Sequence, residues 1–296
     1  MKDKYYSPEL DGKKVIFIGN SMIYYGQCVE DKSRILEQQP RENDRGYFYQ
    51  ICASHGVDVS VTNWTFGGHQ LADIFSDRCP YCIKKDRGIY HHMSFLRERY
   101  YDYVIVSEGS RGYNDFVERI DEIMDTFRAV NPNVKFVYLC HLRQHMLNQT
   151  DVLHNLEAIS QKGVIIADWG KALFDILNDK KVEGGSEEYY KNSFIISQSE
   201  EDGHHQNLLA GYITALTAYC VITGKEAAGQ SYDFYNDTEK NPAFDIDAYK
   251  AKYYCYGDTQ TNFDKIFANS DEMLALQKAV DETIRAEHWH NYGKVE

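Results

Sequence analysis

Three short stretches of this chain carry side chains whose types and spacing suit acyl chemistry. The run "KKVIFIGNSMIYYG", residues 13–26, begins as a strand and stops at Gly19-Asn20-Ser21. Such an ending is either a tight turn into a helix or a serine delivered by a strand to a ligand. A serine hydroxyl becomes a nucleophile when a base lies within hydrogen-bond reach and an acceptor fixes that base's tautomer. Asp202-Gly203-His204-His205 offers both residue types three apart, just ahead of a helical pattern. The alternative is that Asp202 caps the helix and the histidines face water. In "TNWTFGGHQL", residues 62–71, Gly67-Gly68 lets the backbone approach a ligand and turn its N–H groups inward, or simply makes a turn.

Two other patterns bear on metals and thiols. Cys79-Pro80-Tyr81-Cys82 has the C-x-x-C spacing of redox sites, which work at a helix N-terminus after the first strand of a thioredoxin fold. Here the motif follows a different strand in a polar segment. Cys79 and Cys82 also have zinc spacing, with His91 or His92 following, so a structural zinc is a stronger reading than redox chemistry; otherwise these are two free thiols in a loop. The His288–His290 pair lies near the end of the sequence and reads as solvated.

The elements that must position these groups alternate strand and helix. Apolar, β-rich runs fall at Val15–Ile18, Val57–Thr62, Tyr103–Ser107, Val134–Leu139 and Val164–Ala167. Near-continuous runs such as "VIFI", "YVIV" and "VIIA" are expected where helices cover both faces of a parallel sheet. Helical patterns fall at Arg45–His55, Phe116–Val130, Asp151–Gln161 and Lys171–Asn178. This order predicts a doubly wound α/β sheet whose ligands sit beyond the carboxyl ends of the strands, where Ser21 falls. A further helix runs from Leu208 to a stop at Gly224, and a last amphipathic one spans Ser270–Glu287 with Ser270 as its cap. Arg78–Arg99 and Asp179–Glu201 read as loops on one rim. No linker or repeat divides the 296 residues, so a single domain is expected, with a core at about 13–225 and a C-terminal extension at 226–296.

Composition narrows the partners. A net charge of -13 argues against nucleic acid and anionic membranes, because phosphate binding needs clustered Lys and Arg. The first residues lack an apolar signal core, and no run approaches the roughly 18 apolar residues of a membrane span. Seven cysteines, an odd number, do not suit a secreted disulfide framework, so a soluble cytoplasmic protein is expected. The 24 tyrosines suit sugar-binding pockets as well as packing.

Together the three stretches resemble the SGNH hydrolases, the GDSL-like esterase and lipase superfamily, over about Lys13–Lys225. "FIGNSM" is similar to the first block, with Ser21 in the nucleophile position. "NWTFGG" is similar to the second, whose glycine N–H serves the oxyanion hole, which assigns Gly68. "DGHHQNLLAGY" is similar to the Asp-x-x-His block, which assigns Asp202 as orienting acid and His205 as base, leaving His204 beside the cleft. The resemblance implies a three-layer α/β/α sandwich on a parallel sheet of about five strands, flavodoxin-like in type. It also implies an ester hydrolase needing no cofactor. The family's Gly-x-Asn is displaced in "YDYVIVSEGSRGYND": strand register puts Arg111 there, whereas the literal motif puts Asn114, and Asn20 is a further candidate donor. An arginine would favour an anionic substrate. A small acyl group, acetyl first, on a carbohydrate is the favoured substrate, with Tyr24, Tyr25, Tyr113 and Trp64 available to stack on sugar rings. The rival readings are a carbohydrate-binding or interaction protein on an inactive hydrolase scaffold, and a thiol-disulfide protein using Cys79 and Cys82.

Overall fold

The apolar run in "KKVIFIG" puts successive side chains on opposite faces of a strand, and both sets are buried. Val15 and Phe17 join one core, Ile16 and Ile18 the other, all at 0% exposure. That is possible only if helices cover both faces. In the computed structural model, which describes residues 3–30, 41–76, 93–108, 113–179, 195–196, 205–232, 234 and 270–286, they do. Strands β1 (Lys13–Gly19), β2 (Val59–Thr65), β3 (Tyr103–Val106), β4 (Lys135–Leu139) and β5 (Ile165–Ala167) form a parallel sheet in the order β2-β1-β3-β4-β5. The chain is α/β, with the strand order of flavodoxin-like sheets.

A four-residue helix, α1 (Ser21–Tyr24), follows β1, and α2 (Tyr47–Ser54) precedes β2. Helices α3 (Leu71–Ile74) and α4 (Met93–Glu98) lie between β2 and β3. Next come α5 (Tyr113–Arg128), α6 (Leu142–Ser160) and α7 (Trp169–Asp179), each after a strand. A two-stranded antiparallel pair, β6 (Ile195–Ile196) and β7 (His205–Gln206), leads into α8 (Leu208–Thr223), and α9 (Ser270–Ala286) comes last. Side chains of α2, α7, α8 and α9 fill one core, and those of α3, α4, α5 and α6 supply most of the other. Among the described residues no helix is long and apolar enough to cross a membrane.

Three expectations shift. The segment Arg78–Arg99, expected as loop, contains α4, because Leu96 finds a fully buried place in the second core. The helix expected from Asp151 begins at Leu142; its first turns carry Gln144 and His145, polar residues that are nonetheless buried and so hide the apolar period. Strand β2 starts two residues later than expected and runs on to Thr65, since its partner β1 extends to Gly19, paired with Thr65. By contrast α8 ends as expected, with Gly224 left-handed at φ 68°. The last helix is held by polar contacts as well as by Met273, Leu276 and Val280 in the core. Its Asp281 carboxylate accepts the N–H groups of Ala227 and Ala228 at 2.6 and 3.0 Å, and Gln277 donates to Tyr212 Oη at 2.8 Å.

One buried acid gives the fold a pH dependence. Burial first, and the Glu30 carboxylate second, push Asp44 up from 3.8 to about 6, against hydrogen bonds donated by Asn63, Gly46 and Glu30. A folded-state acid raised above its unfolded value holds its proton more tightly when folded. Its contribution therefore favours the fold at low pH and is lost as pH rises from about 4 to about 6, a share of about 3 kcal/mol. Urea unfolding at both ends of that window should show the wild type losing more stability with rising pH than Asp44→Ala does. Equal losses would refute the assignment.

Candidate active site

Ser21 is the first residue of α1, directly beyond the carboxyl end of β1. Asn20 makes the turn: its backbone is extended, and its side-chain oxygen accepts the Met22 N–H at 3.0 Å. His205 arrives from the far end of the sequence on the short strand β7, immediately ahead of α8. Its Nε2 lies 2.9 Å from Ser21 Oγ, although the two residues are 184 apart in sequence. With the ring proton on Nδ1, Nε2 accepts the serine hydroxyl's hydrogen, the arrangement in which an imidazole acts as base.

Close main-chain packing makes this meeting possible. The turn after α1 contains Gly26, and the first turn of α8 contains Gly211. A Cβ on Gly211 would lie 1.6 Å from the Gly26 carbonyl oxygen, and one on Gly26 would lie 2.6 Å from the Asn207 carbonyl oxygen. No side chain fits at either place, so backbone rests on backbone. Asn207 then starts α8 by accepting the Ala210 N–H at 3.0 Å. On the imidazole itself rests Tyr25, whose ring centroid is 4.3 Å from that of His205 at 36°.

The loop after β2 forms the neighbouring wall. Asn20 Nδ2 donates to the His69 carbonyl at 2.8 Å, and His69 Nδ1 lies 3.0 Å from the Gly67 carbonyl, which accepts its proton. Gly68 takes φ 76°, a left-handed conformation that favours glycine. From β3 comes Glu108, fully buried, whose carboxylate accepts the Leu71 N–H at 2.8 Å and ties the loop to the sheet. Among the described residues, the backbone N–H groups of Ser21 and Gly68 donate to no protein acceptor.

The remaining expected site residues fall into two groups. Asp202, His204, Arg111, Cys79 and Cys82 lie outside the described residues. Asn114 and Tyr113 are in the first turn of α5, with their side chains likewise outside the description. Two expected sugar-stacking rings are corrected. Tyr24 is 2% exposed and Trp64 is 1% exposed, each packed into a core, so neither offers a face to a ligand. The alternation of β2 turns Trp64 into the second core, and the tight turn of α1 folds Tyr24 under the loop. Asn20, a candidate oxyanion donor, has both side-chain groups committed to the turn and to His69. Glu108 and Gly26 were not anticipated; an acid directly after the buried run "YVIVS" is the signal that points to Glu108.

No family model and no curated protein matches the chain. Solved structures do resemble it. A DUF4886 family protein from Bacteroides uniformis is 15% identical, with a TM-score of 0.49 over 92% of this chain and 95% of its own. A protein of Slackia heliotrinireducens assigned as a candidate SGNH hydrolase is 14% identical, with a TM-score of 0.41 over 71% of this chain and 98% of its own. A candidate GDSL-like lipase from Parabacteroides merdae is 14% identical, with a TM-score of 0.41 over 73% of this chain and 97% of its own.

Gly211→Ala should force the two backbones apart, lowering stability by about 1–3 kcal/mol. It should also cut the reactivity of Ser21 toward a serine-directed phosphonate by roughly 100-fold, the scale of an ångström-level misplacement. Thermal unfolding and labelling rates measure both; a variant that labels at the wild-type rate would sink the packing argument. Tyr25→Phe should retain the ring contact and label normally, whereas Tyr25→Ala should label at least several-fold more slowly.

Proposed function

We propose that this protein is a serine hydrolase that cleaves small acyl esters, acetyl esters first, on carbohydrate alcohols. The observation that carries the reading is the 2.9 Å contact between Ser21 Oγ and His205 Nε2 at the carboxyl end of the sheet. In this mechanism the hydroxyl attacks the ester carbonyl while His205 takes its proton, and the same imidazolium then protonates the departing alkoxide. Water, activated by His205, releases the acyl group from Ser21 in the second half of the cycle.

Asp202 is proposed to accept the Nδ1–H of His205 and so fix the tautomer, as its place in Asp-x-x-His suggests. The N–H groups of Ser21 and Gly68 would receive the oxyanion, each donor contributing about 2.7–4 kcal/mol to the barrier reduction. Their lack of acceptors among the described residues supports that role. Asn114 or Arg111 is proposed as a third donor, Arg111 also binding an anionic part of a substrate. Among the described residues, Tyr25, half-buried beside His205, is the aromatic side chain best situated to pack against the alcohol half of an ester. The mechanism needs no metal or organic cofactor.

Ser21→Ala should lower kcat/KM for p-nitrophenyl acetate by at least about 1,000-fold with little change in the unfolding midpoint. Turnover that survives the substitution would reject the mechanism. A wild-type protein that neither hydrolyses acetylated sugars nor takes up the phosphonate would leave the scaffold a binding protein.

A further inference from the structure

A second group of reactive side chains lies inside the protein, away from the serine. Cys140 follows the last residue of β4, Asp168 follows β5, and His145 stands in the first turn of α6. Cys140 Sγ is 3.5 Å from His145 Nε2, and that nitrogen is 2.8 Å from Asp168 Oδ1. The sulfur, nitrogen and oxygen donors all fall within 4.8 Å of one another. The three residues are 0%, 2% and 1% exposed, so no substrate reaches them. Strands in a sheet are about 4.8 Å apart, so β4, two strands from β1, puts the cluster roughly 10 Å from Ser21.

We propose that Cys140, His145 and Asp168 are ligands of one buried structural metal ion of the zinc class. The donor set selects the ion: a thiolate and an imidazole suit zinc and its neighbours, whereas calcium and magnesium take oxygen. Geometry agrees. Zinc bonds of about 2.3 Å to sulfur and about 2.0 Å to nitrogen, at tetrahedral angles, separate those donors by about 3.5 Å. When the ring proton moves from Nε2 to Nδ1 and the metal takes its place, the nitrogen-to-oxygen edge opens by about half an ångström.

Hydrogen bonding within the protein leaves the cluster incompletely satisfied. Asp168 Oδ1 accepts the Lys171 N–H at 3.0 Å and so caps α7, but Asp168 Oδ2, fully buried, has no hydrogen-bond partner among the described residues. Among the described residues His145 Nδ1 has no hydrogen-bond partner either; the ring is bonded through Nε2 on the Cys140 and Asp168 side and lies 6.1 Å from the Phe174 ring. A cation between the three would neutralise the buried carboxylate. The scaffold is already fixed: Cys140 N–H donates to the Ala167 carbonyl and Gly170 N–H to the Cys140 carbonyl, both at 3.1 Å. Gln144 Oε1, which accepts the Cys140 S–H at 3.2 Å, is the adjacent oxygen for the fourth position. On metal binding the thiol gives its proton to solvent, and that oxygen, which keeps the His141 N–H at 3.0 Å, turns its other lone pair to the ion.

The test uses the full chain carrying Cys79→Ser and Cys82→Ser, which removes the other candidate thiol pair. After chelation and dialysis, cobalt(II) is added and its thiolate charge-transfer absorption followed, with zinc displacing it and elemental analysis giving the stoichiometry. One ion per chain, one proton released and a zinc-dependent rise in the unfolding midpoint are expected. Asp168→Asn retains an oxygen for the helix cap but loses the anionic ligand, so it should stay folded while binding weakens at least about 100-fold. Cys140→Ser should abolish the charge-transfer band. Less than about 0.1 ion per chain in the parent, or parent-like affinity in both variants, would overturn the proposal. Phosphonate labelling of Ser21 should proceed equally with and without the metal, which separates this result from the fate of the esterase reading.

Discussion

The meeting of Ser21 and His205 depends on two main chains touching where Gly26 and Gly211 leave no side chain between them. A single methyl at position 211 would overlap the facing carbonyl, at 1.6 Å. Because β7 runs straight into α8, the seating of that helix also fixes the imidazole. Asn207, whose side chain starts the helix, presents its carbonyl to Gly26, so one residue both begins the helix and forms the floor on which the Ser21 turn rests. The long-range contact between Ser21 and His205 is thus set by backbone packing, which is stiffer than a contact between flexible side chains.

The same rim of the sheet collects polar residues strand by strand. Thr65 ends β2, Asn20 and Ser21 follow β1, Ser107 and Glu108 follow β3, Cys140 and His141 follow β4, and Asp168 follows β5, all of them buried. Crossover helices protect the apolar strand interiors, and the strand ends are where a parallel sheet can afford chemistry. Nearest β1 these groups face the serine. Nearest β5 they turn inward and satisfy one another only in part.

What was legible in the sequence follows from this arrangement. The strands could be read because "VIFI", "YVIV" and "VIIA" are buried on both faces, and Ser21 and His205 because motif spacing carries tertiary information that hydropathy lacks. The beginning of α6 could not be read: Gln144 and His145 are polar yet buried, and a hydropathy pattern assigns such residues to solvent. Residue type also failed to tell packing rings from binding rings. Tyr24 and Tyr25 are adjacent, yet the turn sends one into the core and lays the other on His205. Cys140 and Asp168 follow different strands, and the register of β4 against β5 makes them neighbours.

The two cores differ in when the chain completes them. The core holding Ile16 and Ile18 draws its buried residues from positions up to 166, whereas the one holding Val15 and Phe17 extends to Val280 on α9. During synthesis, one side of the sheet therefore has all its described covering helices soon after β5 emerges. The other side, on which the imidazole's helix lies, waits for more than a hundred further residues, an apolar surface exposed to cellular chaperones in the interval.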